Sequence, residues 1–187
     1  MANFRTKKKT DDQISISFKT KAIKINDWVI IRLPAEASAK LPSRGQNMVE
    51  GTINQTEFST PLEPDGNWNH WFSLTPELRK KINLDMDKTV DLKLTTVKQW
   101  PDPQVPQDLM AALKNSKPAL ASWQTITPMA RWEWVRWLRS TANPATREKR
   151  IKVAVSKLNS GEKRPCCWNR NLCTEPSISK NGVLLKP

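Results

Sequence analysis

The sequence has few of the residues and patterns on which a functional class could be based. It contains one histidine, His70, and three cysteines among 187 residues. No run of about 18 apolar residues occurs, so we expect no transmembrane helix. The basic N-terminus is not followed by an apolar segment, so we expect no secretory signal and a cytoplasmic location. Because no catalytic motif is recognisable, we expect a protein that is not an enzyme and that has no cofactor.

Acidic residues are also few relative to basic ones. The chain has 31 lysines and arginines against 18 aspartates and glutamates, a formal net charge of +13. Residues 1–98 hold 16 basic and 12 acidic residues, whereas residues 99–187 hold 15 and 6. This excess favours an anionic partner, which includes nucleic acid, anionic lipid or an acidic protein. The alternative is that the charge only keeps a cytosolic protein soluble.

Short segments with alternating or β-branched residues fill the first half of the chain, at 14–18, 22–33, 48–53, 56–60, 68–74 and 89–97. A two-residue connection at Asn54-Gln55 predicts a hairpin, and Pro64-Asp65-Gly66 predicts a turn. Thr75-Pro76 predicts the start of a short helix. Short strands separated by turns predict a small closed or nearly closed β-barrel.

The second half has helical signals. Thr127-Pro128 begins a Trp-rich helix that runs to about Ser140, and Asn143-Pro144 begins another that stops near Gly161. On the first helix, Ala130, Trp134, Trp137 and Leu138 fall within one arc of about 100°. On the second helix, Ile151, Ala154, Val155 and Leu158 fall within an arc of about the same width. These arcs predict the core of a helical domain.

The composition predicts five segments. Residues 1–12 are polar and charged, which is typical of a disordered terminus. Residues 13–98 form the predicted barrel, and residues 99–106 a proline-rich, semi-rigid linker. Residues 107–163 form the helical domain, and residues 164–187 a cysteine-containing tail. The predicted fold class is therefore α+β.

A basic and aromatic face is the first candidate site. Trp132 projects away from the predicted core, among Arg136 and Arg139, and Arg150 lies on the polar side of the next helix. These cations would contact phosphates, and Trp132 would stack on a base or lie at a lipid headgroup. The alternatives are a solvated cationic face and a Trp132 that docks against the barrel or the tail.

A turn-rich loop at 40–46 is the second candidate. Lys40, Ser43 and Arg44 would present cations, a hydroxyl and backbone N–H groups to a phosphate or carboxylate. The loop lacks the glycine spacing and the ending of a P-loop. The alternative is a surface loop whose Arg44 pairs with an acid across the barrel.

The cysteines and the histidine are weaker candidates. Cys166, Cys167 and Cys173 would bind a soft metal such as zinc or act as reactive thiols beside basic residues. A structural zinc site needs four ligands, however, and the alternative is ordinary reduced thiols. His70 would be a general base, or a hydrogen-bonded structural residue, and no catalytic partner for it is identifiable.

Two sets of segments carry a family resemblance. ASAKLPSRGQ at 37–46, VEGTIN at 49–54 and LEPDG at 62–66 resemble a small bacterial β-barrel domain of unassigned function. ITPMARWEWVRWL at 126–138, NPATR at 143–147 and SKLNSG at 156–161 resemble the helical domain of the YdeI/OmpD-associated, or bacteriocin-protection, family. The chain differs from the usual pattern at two turns, at Gln55 and at Met86-Asp87-Lys88.

The resemblance implies a double-split β-barrel, an architecture shared with AbrB-type transcription factors, followed by a helical domain. It also implies a role in resistance to antimicrobial peptides and stress, without an established reaction, cofactor or catalytic residue. We therefore expect a non-enzymatic protection accessory protein that binds an anionic or protein partner, with nucleic acid as the first candidate. The alternative is a thiol-based metal-binding or redox protein.

Overall fold

The computed structural model describes residues 13–165, 177–179 and 183–187. Within them the chain divides into two compact units. The barrel-like unit consists of 13–23, Val29–Pro64 and Trp68–Lys98. The helical unit consists of Lys24–Trp28, Asp65–Asn67 and the described residues from Gln99 onward.

The strands occupy the first half of the described chain, with two short helices between them, and the longer helices follow. The strands are β1 (Ser15–Lys21), β2 (Ile23–Ile25), β3 (Trp28–Arg32), β4 (Asn47–Ile53), β5 (Thr56–Pro64), β6 (His70–Ser73) and β7 (Thr89–Thr96). The helices are α1 (Ala35–Ala39), α2 (Pro76–Lys81), α3 (Gln107–Lys114), α4 (Lys117–Thr125), α5 (Pro128–Arg139) and α6 (Pro144–Asn159).

The strands form one curled sheet in the order β1-β7-β4-β5-β6-β3-β2. The successive pairings from β1 through β3 are antiparallel. With β1 and β2 at its two ends the sheet is a half-barrel, so the predicted α+β class with a barrel-like N-terminal domain is confirmed. Along β7, Val90, Leu92 and Leu94 are buried while Asp91 and Lys93 are exposed, because successive strand residues point to opposite faces.

The predicted hairpin at Asn54-Gln55 is confirmed. Both residues have positive φ, 46° and 68°, which is the conformation that a two-residue type I′ turn requires. Asn54 is tied to β7 twice, since its backbone N–H donates to the Asp91 carbonyl and its side-chain oxygen accepts from the Asp91 N–H, both at 2.9 Å. These bonds hold the turn without the glycine that is usual there.

The prediction of one continuous strand over 22–33 was wrong. The structure has two strands, β2 and β3, separated at Asn26-Asp27. Asn26 adopts a φ of 52°, a left-handed conformation that asparagine tolerates better than most residues. The β-branched residues on both sides of this turn hid it in the sequence pattern.

Side-chain caps start the two long helices as predicted. The Thr127 hydroxyl accepts a hydrogen bond from Ala130 N–H at 3.3 Å, and the Asn143 side chain accepts from Ala145 N–H at 2.9 Å. Each bond satisfies a backbone donor that the helix leaves unpaired in its first turn. Gly161, just after α6, has a φ of 78°, which glycine adopts without steric cost.

The predicted faces of α5 and α6 form the core of the helical unit. Trp134, Leu138, Ala154 and Leu158 are fully buried. They pack with residues of α3 and α4 that are also buried, namely Leu109, Leu113, Ala119 and Trp123. None of the helices among the described residues is long and apolar enough to cross a membrane.

An ion pair ties α3 to α6. Arg147 donates from Nε to Oδ2 of Asp108 at 2.6 Å and from a terminal nitrogen to Oδ1 at 3.0 Å. Arg147 also donates to the Leu138 carbonyl at 3.1 Å. The hydrogen bond from Arg147 lowers the pKa of the Asp108 carboxyl, because it stabilises the ionised form.

Candidate functional site

The loop between α1 and β4 presents its polar side chains to solvent. Lys40, Ser43 and Arg44 are all exposed. The Ser43 hydroxyl accepts a hydrogen bond from the Gly45 N–H at 3.0 Å, which folds the loop back on itself. The two cations, Lys40 and Arg44, lie in this short connection between the end of α1 and the start of β4.

A network of buried polar side chains holds this loop. Asn47, at the start of β4, donates from Nδ2 to the carbonyls of Ser43 and Gly45 at 2.8 and 2.9 Å. His70, at the start of β6, has Nε2 3.1 Å from the Gly45 carbonyl. The side chains of Asn47 and His70 are buried, so these bonds are shielded from water and hold the loop backbone firmly.

The contacts of His70 define its role in the fold. Nε2 lies 3.1 Å from the Gly45 carbonyl and 3.2 Å from the side-chain nitrogen Nδ2 of Asn47. Nδ1 lies 3.3 Å from the hydroxyl of Ser38, which also accepts from the His70 N–H at 2.9 Å. This arrangement matches the structural interpretation of His70, because both ring nitrogens are occupied by hydrogen bonds within the fold.

A second buried polar contact lies beside the network. Gln46 donates from Nε2 to both carboxylate oxygens of Glu63, at 3.1 and 2.8 Å. Glu63 is buried near the end of β5. Residues 45–47 are thus fixed at three successive positions, and the exposed segment just before them is anchored to the sheet.

Trp68 contacts this loop, although the sequence did not predict it there. Its side chain is 76% exposed, the largest exposure of any big apolar side chain among the described residues. Arg44 donates from a terminal nitrogen to the Trp68 carbonyl at 3.1 Å, and its Cζ lies 5.9 Å from the centroid of the indole. Arg44 therefore contacts an aromatic residue and not an acid across the barrel.

The strand prediction for 68–74 explains why Trp68 was missed. Period-two alternation put Trp68 on the face of His70 and Phe72, but β6 begins only at His70. Trp68 has a φ of 70°, outside the strand conformation. The run Asp65-Gly66-Asn67 before it and Asn69 after it is a turn signal, and extending the turn through 69 would have placed Trp68 in the loop.

The prediction that Trp132 faces solvent was wrong. Trp132 is 6% exposed, and its indole N–H donates to the Pro101 carbonyl at 2.8 Å. Arg136, predicted to be exposed beside it, is 8% exposed. Helix α5 is buried over a wider arc than one core face, and residues outside the helical core contact it: Pro101 accepts the indole N–H of Trp132, and Lys163, after α6, accepts that of Trp134.

Other arginines of the predicted basic face support the fold. Arg150 donates to the Trp137 carbonyl and to the Ser140 hydroxyl, with its Cζ 5.1 Å from the Trp137 ring centroid. A cation at this place satisfies carbonyls at the C-terminal end of α5. Arg139 is half-buried. The exposed cations of α6 are instead Lys149 and Lys152, and Lys152 pairs with Glu148 at 2.8 Å.

The cysteine candidates lie outside the described residues. Cys166, Cys167 and Cys173 fall in the segment 166–176, which the structure does not describe. Within the described ranges, no group of three or more His, Cys, Asp or Glu side chains is arranged to hold a metal ion. The zinc and thiol predictions therefore stay predictions.

The fold and the site define a class of protein: an α+β protein with a curled half-barrel unit, which carries the loop, and a helical unit rich in tryptophan. Comparison with family models agrees with this division. Residues 102–161 match the family described as bacteriocin-protection, YdeI or OmpD-associated, and residues 18–94 match a domain of unknown function, DUF1905. The helical unit thus matches the YdeI/OmpD-associated family and the barrel-like unit matches DUF1905, which confirms the resemblance. Comparison with curated proteins finds no match.

Proposed function

We propose that this protein is a non-enzymatic accessory protein of antimicrobial protection, cytoplasmic and without a resident cofactor, that binds an anionic partner through the loop at Lys40, Ser43 and Arg44. The family of the helical unit supports the protective role. Nucleic acid is the partner that we would test first, because the net charge of +13 attracts polyanions.

One observation carries the proposal: an exposed cationic loop is held by buried hydrogen bonds. Asn47 and His70 fix the backbone of residues 43–45 before any ligand arrives. Binding to such a loop loses little conformational entropy in the loop backbone. Arg44 offers a planar set of N–H donors, which suits phosphate and carboxylate oxygens.

The charge of the helical unit adds a long-range contribution. Lys149 and Lys152 are exposed on α6, and residues 99–187 hold 15 basic against 6 acidic side chains. Such an excess raises the rate of encounter with a polyanion and weakens as salt screens it. It does not by itself select a partner, so the loop supplies the specific contacts.

The test is fluorescence anisotropy with a labelled single-stranded oligonucleotide over a salt series. For Lys40→Ala/Arg44→Ala we expect about tenfold weaker binding and a salt slope smaller by between about 1 and 2, because two phosphate contacts are lost. The matched control is Lys19→Ala/Lys88→Ala, which removes the same charge from exposed positions on β1 and before β7. Equal losses in both variants, or no binding by the wild type, would contradict the proposal.

The thiol-based alternative concerns Cys166, Cys167 and Cys173. It predicts zinc in the protein purified without chelator, and loss of that zinc in Cys166→Ser. Metal-free protein with ordinary thiol reactivity would remove this alternative. The loop proposal does not depend on that result.

A further inference from the structure

Trp68 combines two features that are unfavourable for the folded chain alone. Its φ of 70° lies in the left-handed region, where a bulky side chain is a steric outlier. The residue is 76% exposed, so little of its apolar surface is removed from water. Strained backbone conformations of this kind concentrate at ligand-binding and active sites.

The surroundings hold Trp68 in this conformation. Arg44 hydrogen-bonds to its carbonyl at 3.1 Å, and the Arg44 backbone belongs to the loop that Asn47 anchors. His70, two residues after Trp68, is buried and fixed by Ser38. The ring therefore stands on a backbone that is held on both sides, with a guanidinium 5.9 Å from its centroid.

We propose that Trp68 is a stacking platform for an unpaired nucleobase of a single-stranded nucleic acid, with Arg44 binding the adjacent phosphate. This inference rests on the proposed function and names the ligand class of the same loop. Every nucleobase has a π-face that stacks on an indole, and a neighbouring arginine is the usual partner for the backbone. A duplex, whose bases are stacked inside the helix, would not offer such a face.

The polar setting of Trp68 argues against a lipid surface as the ligand. Its sequence neighbours Asn67 and Asn69 are polar, and Ser43 and Arg44 of the loop are exposed. Insertion into a bilayer interface requires a group of apolar side chains on one face. One indole beside one guanidinium instead suits a nucleotide, in which one flat base lies close to one phosphate.

The experiment compares three labelled ligands of equal length: a single strand, the same backbone with abasic sites, and a duplex. We expect Trp68→Ala to bind the single strand about tenfold more weakly and Trp68→Phe to retain most of the affinity, because phenylalanine also stacks. We expect no effect of Trp68→Ala on the abasic strand, which has phosphates but no bases. Arg44→Ala should weaken binding of both strands.

Trp68→Gly separates binding from a structural role. Glycine adopts a φ of 70° without strain, so this variant should unfold at or above the wild-type temperature and still lose the binding that Trp68→Ala loses. A lower unfolding temperature would show that the indole supports the fold, and would overturn the inference.

The outcomes separate this inference from the proposed function. If Trp68→Ala binds the single strand like the wild type while Lys40→Ala/Arg44→Ala does not, the platform is wrong and the anionic loop stands. If Trp68→Ala instead loses binding to vesicles of anionic phospholipid, which the wild type prefers, the ligand is a membrane surface and the platform is again wrong. If the wild type binds no nucleic acid of any form, both proposals fail.

Discussion

Asn47 is the residue on which the order of the candidate site depends most directly. Its Nδ2 donates to the carbonyls of Ser43 and Gly45 from a buried position at the start of β4. The variant Asn47→Ala removes both bonds. At about 1 kcal/mol for each hydrogen bond, the cost of opening this part of the barrel-like unit falls by about 2 kcal/mol. Gly45 keeps its contact with His70 Nε2 at 3.1 Å, so the loop loosens but the sheet stays folded.

Hydrogen–deuterium exchange read by mass spectrometry measures this effect for the loop separately from the helical unit. A loss of about 2 kcal/mol corresponds to exchange about 30 times faster in peptides that cover 40–47. Asn115→Ala is the matched control, because Asn115 is exposed at the end of α3, and we expect a change below about 0.5 kcal/mol there.

Asn47→Asp tests the physical reason for the effect. Aspartate keeps the volume of asparagine but places a carboxylate where two carbonyls need a donor, so it should cost at least as much as alanine. If Asn47→Asp exchanges like the wild type while Asn47→Ala does not, then the volume of the side chain, and not its hydrogen bonds, holds the loop.

Two further predictions concern the fold. A Cβ on Gly51 would lie 1.9 Å from the Lys93 carbonyl oxygen, so Gly51→Ala should push β4 away from β7 and destabilise the barrel-like unit by about 3 kcal/mol. Gly45→Ala is the control and should change stability little, because a Cβ on Gly45 would have its nearest neighbour 3.4 Å away. Urea unfolding checks both, and equal effects would contradict the close approach. Asp108→Asn should lower stability by about 1 kcal/mol at pH 7, because the lowered pKa of Asp108 means that its pairing with Arg147 stabilises the fold only while the carboxyl is ionised. The stability that this pair contributes is present above the unfolded-state pKa of about 3.9, and it is lost as the pH falls through the lower folded-state value. The free energies of unfolding of wild type and variant should therefore converge in acid. A difference that stays constant with pH would contradict this role of the pair.

Features that depend on local sequence were predicted well. The starts of α5 and α6 follow from Thr127-Pro128 and Asn143-Pro144, because a cap residue and a proline act on the backbone next to them. The hairpin at Asn54-Gln55 follows from the separation of its two strands. These signals involve residues close in sequence, so they can be read without knowing the fold.

The candidate site was predicted only in part. Lys40, Ser43 and Arg44 are exposed in one loop, as expected, but the stacking residue was predicted on a separate helical face at Trp132, which is buried, and the aromatic side chain beside Arg44 is Trp68. A helical projection shows the direction of a side chain and not what covers it, and Pro101, 31 residues before Trp132, accepts its indole N–H. The contact between Arg44 and Trp68 also spans 24 residues, which no local pattern reveals.

Binding of nucleic acid at the anchored loop is tested most directly by a hydrogen-exchange footprint of the protein saturated with a single-stranded oligonucleotide at low salt. We expect slower exchange in peptides covering 40–47 and 68–70, with much smaller changes along α6 around Lys149 and Lys152. Protection confined to α6, with the loop and Trp68 unchanged, would contradict it, because binding would then depend on the basic helix and not on the anchored loop.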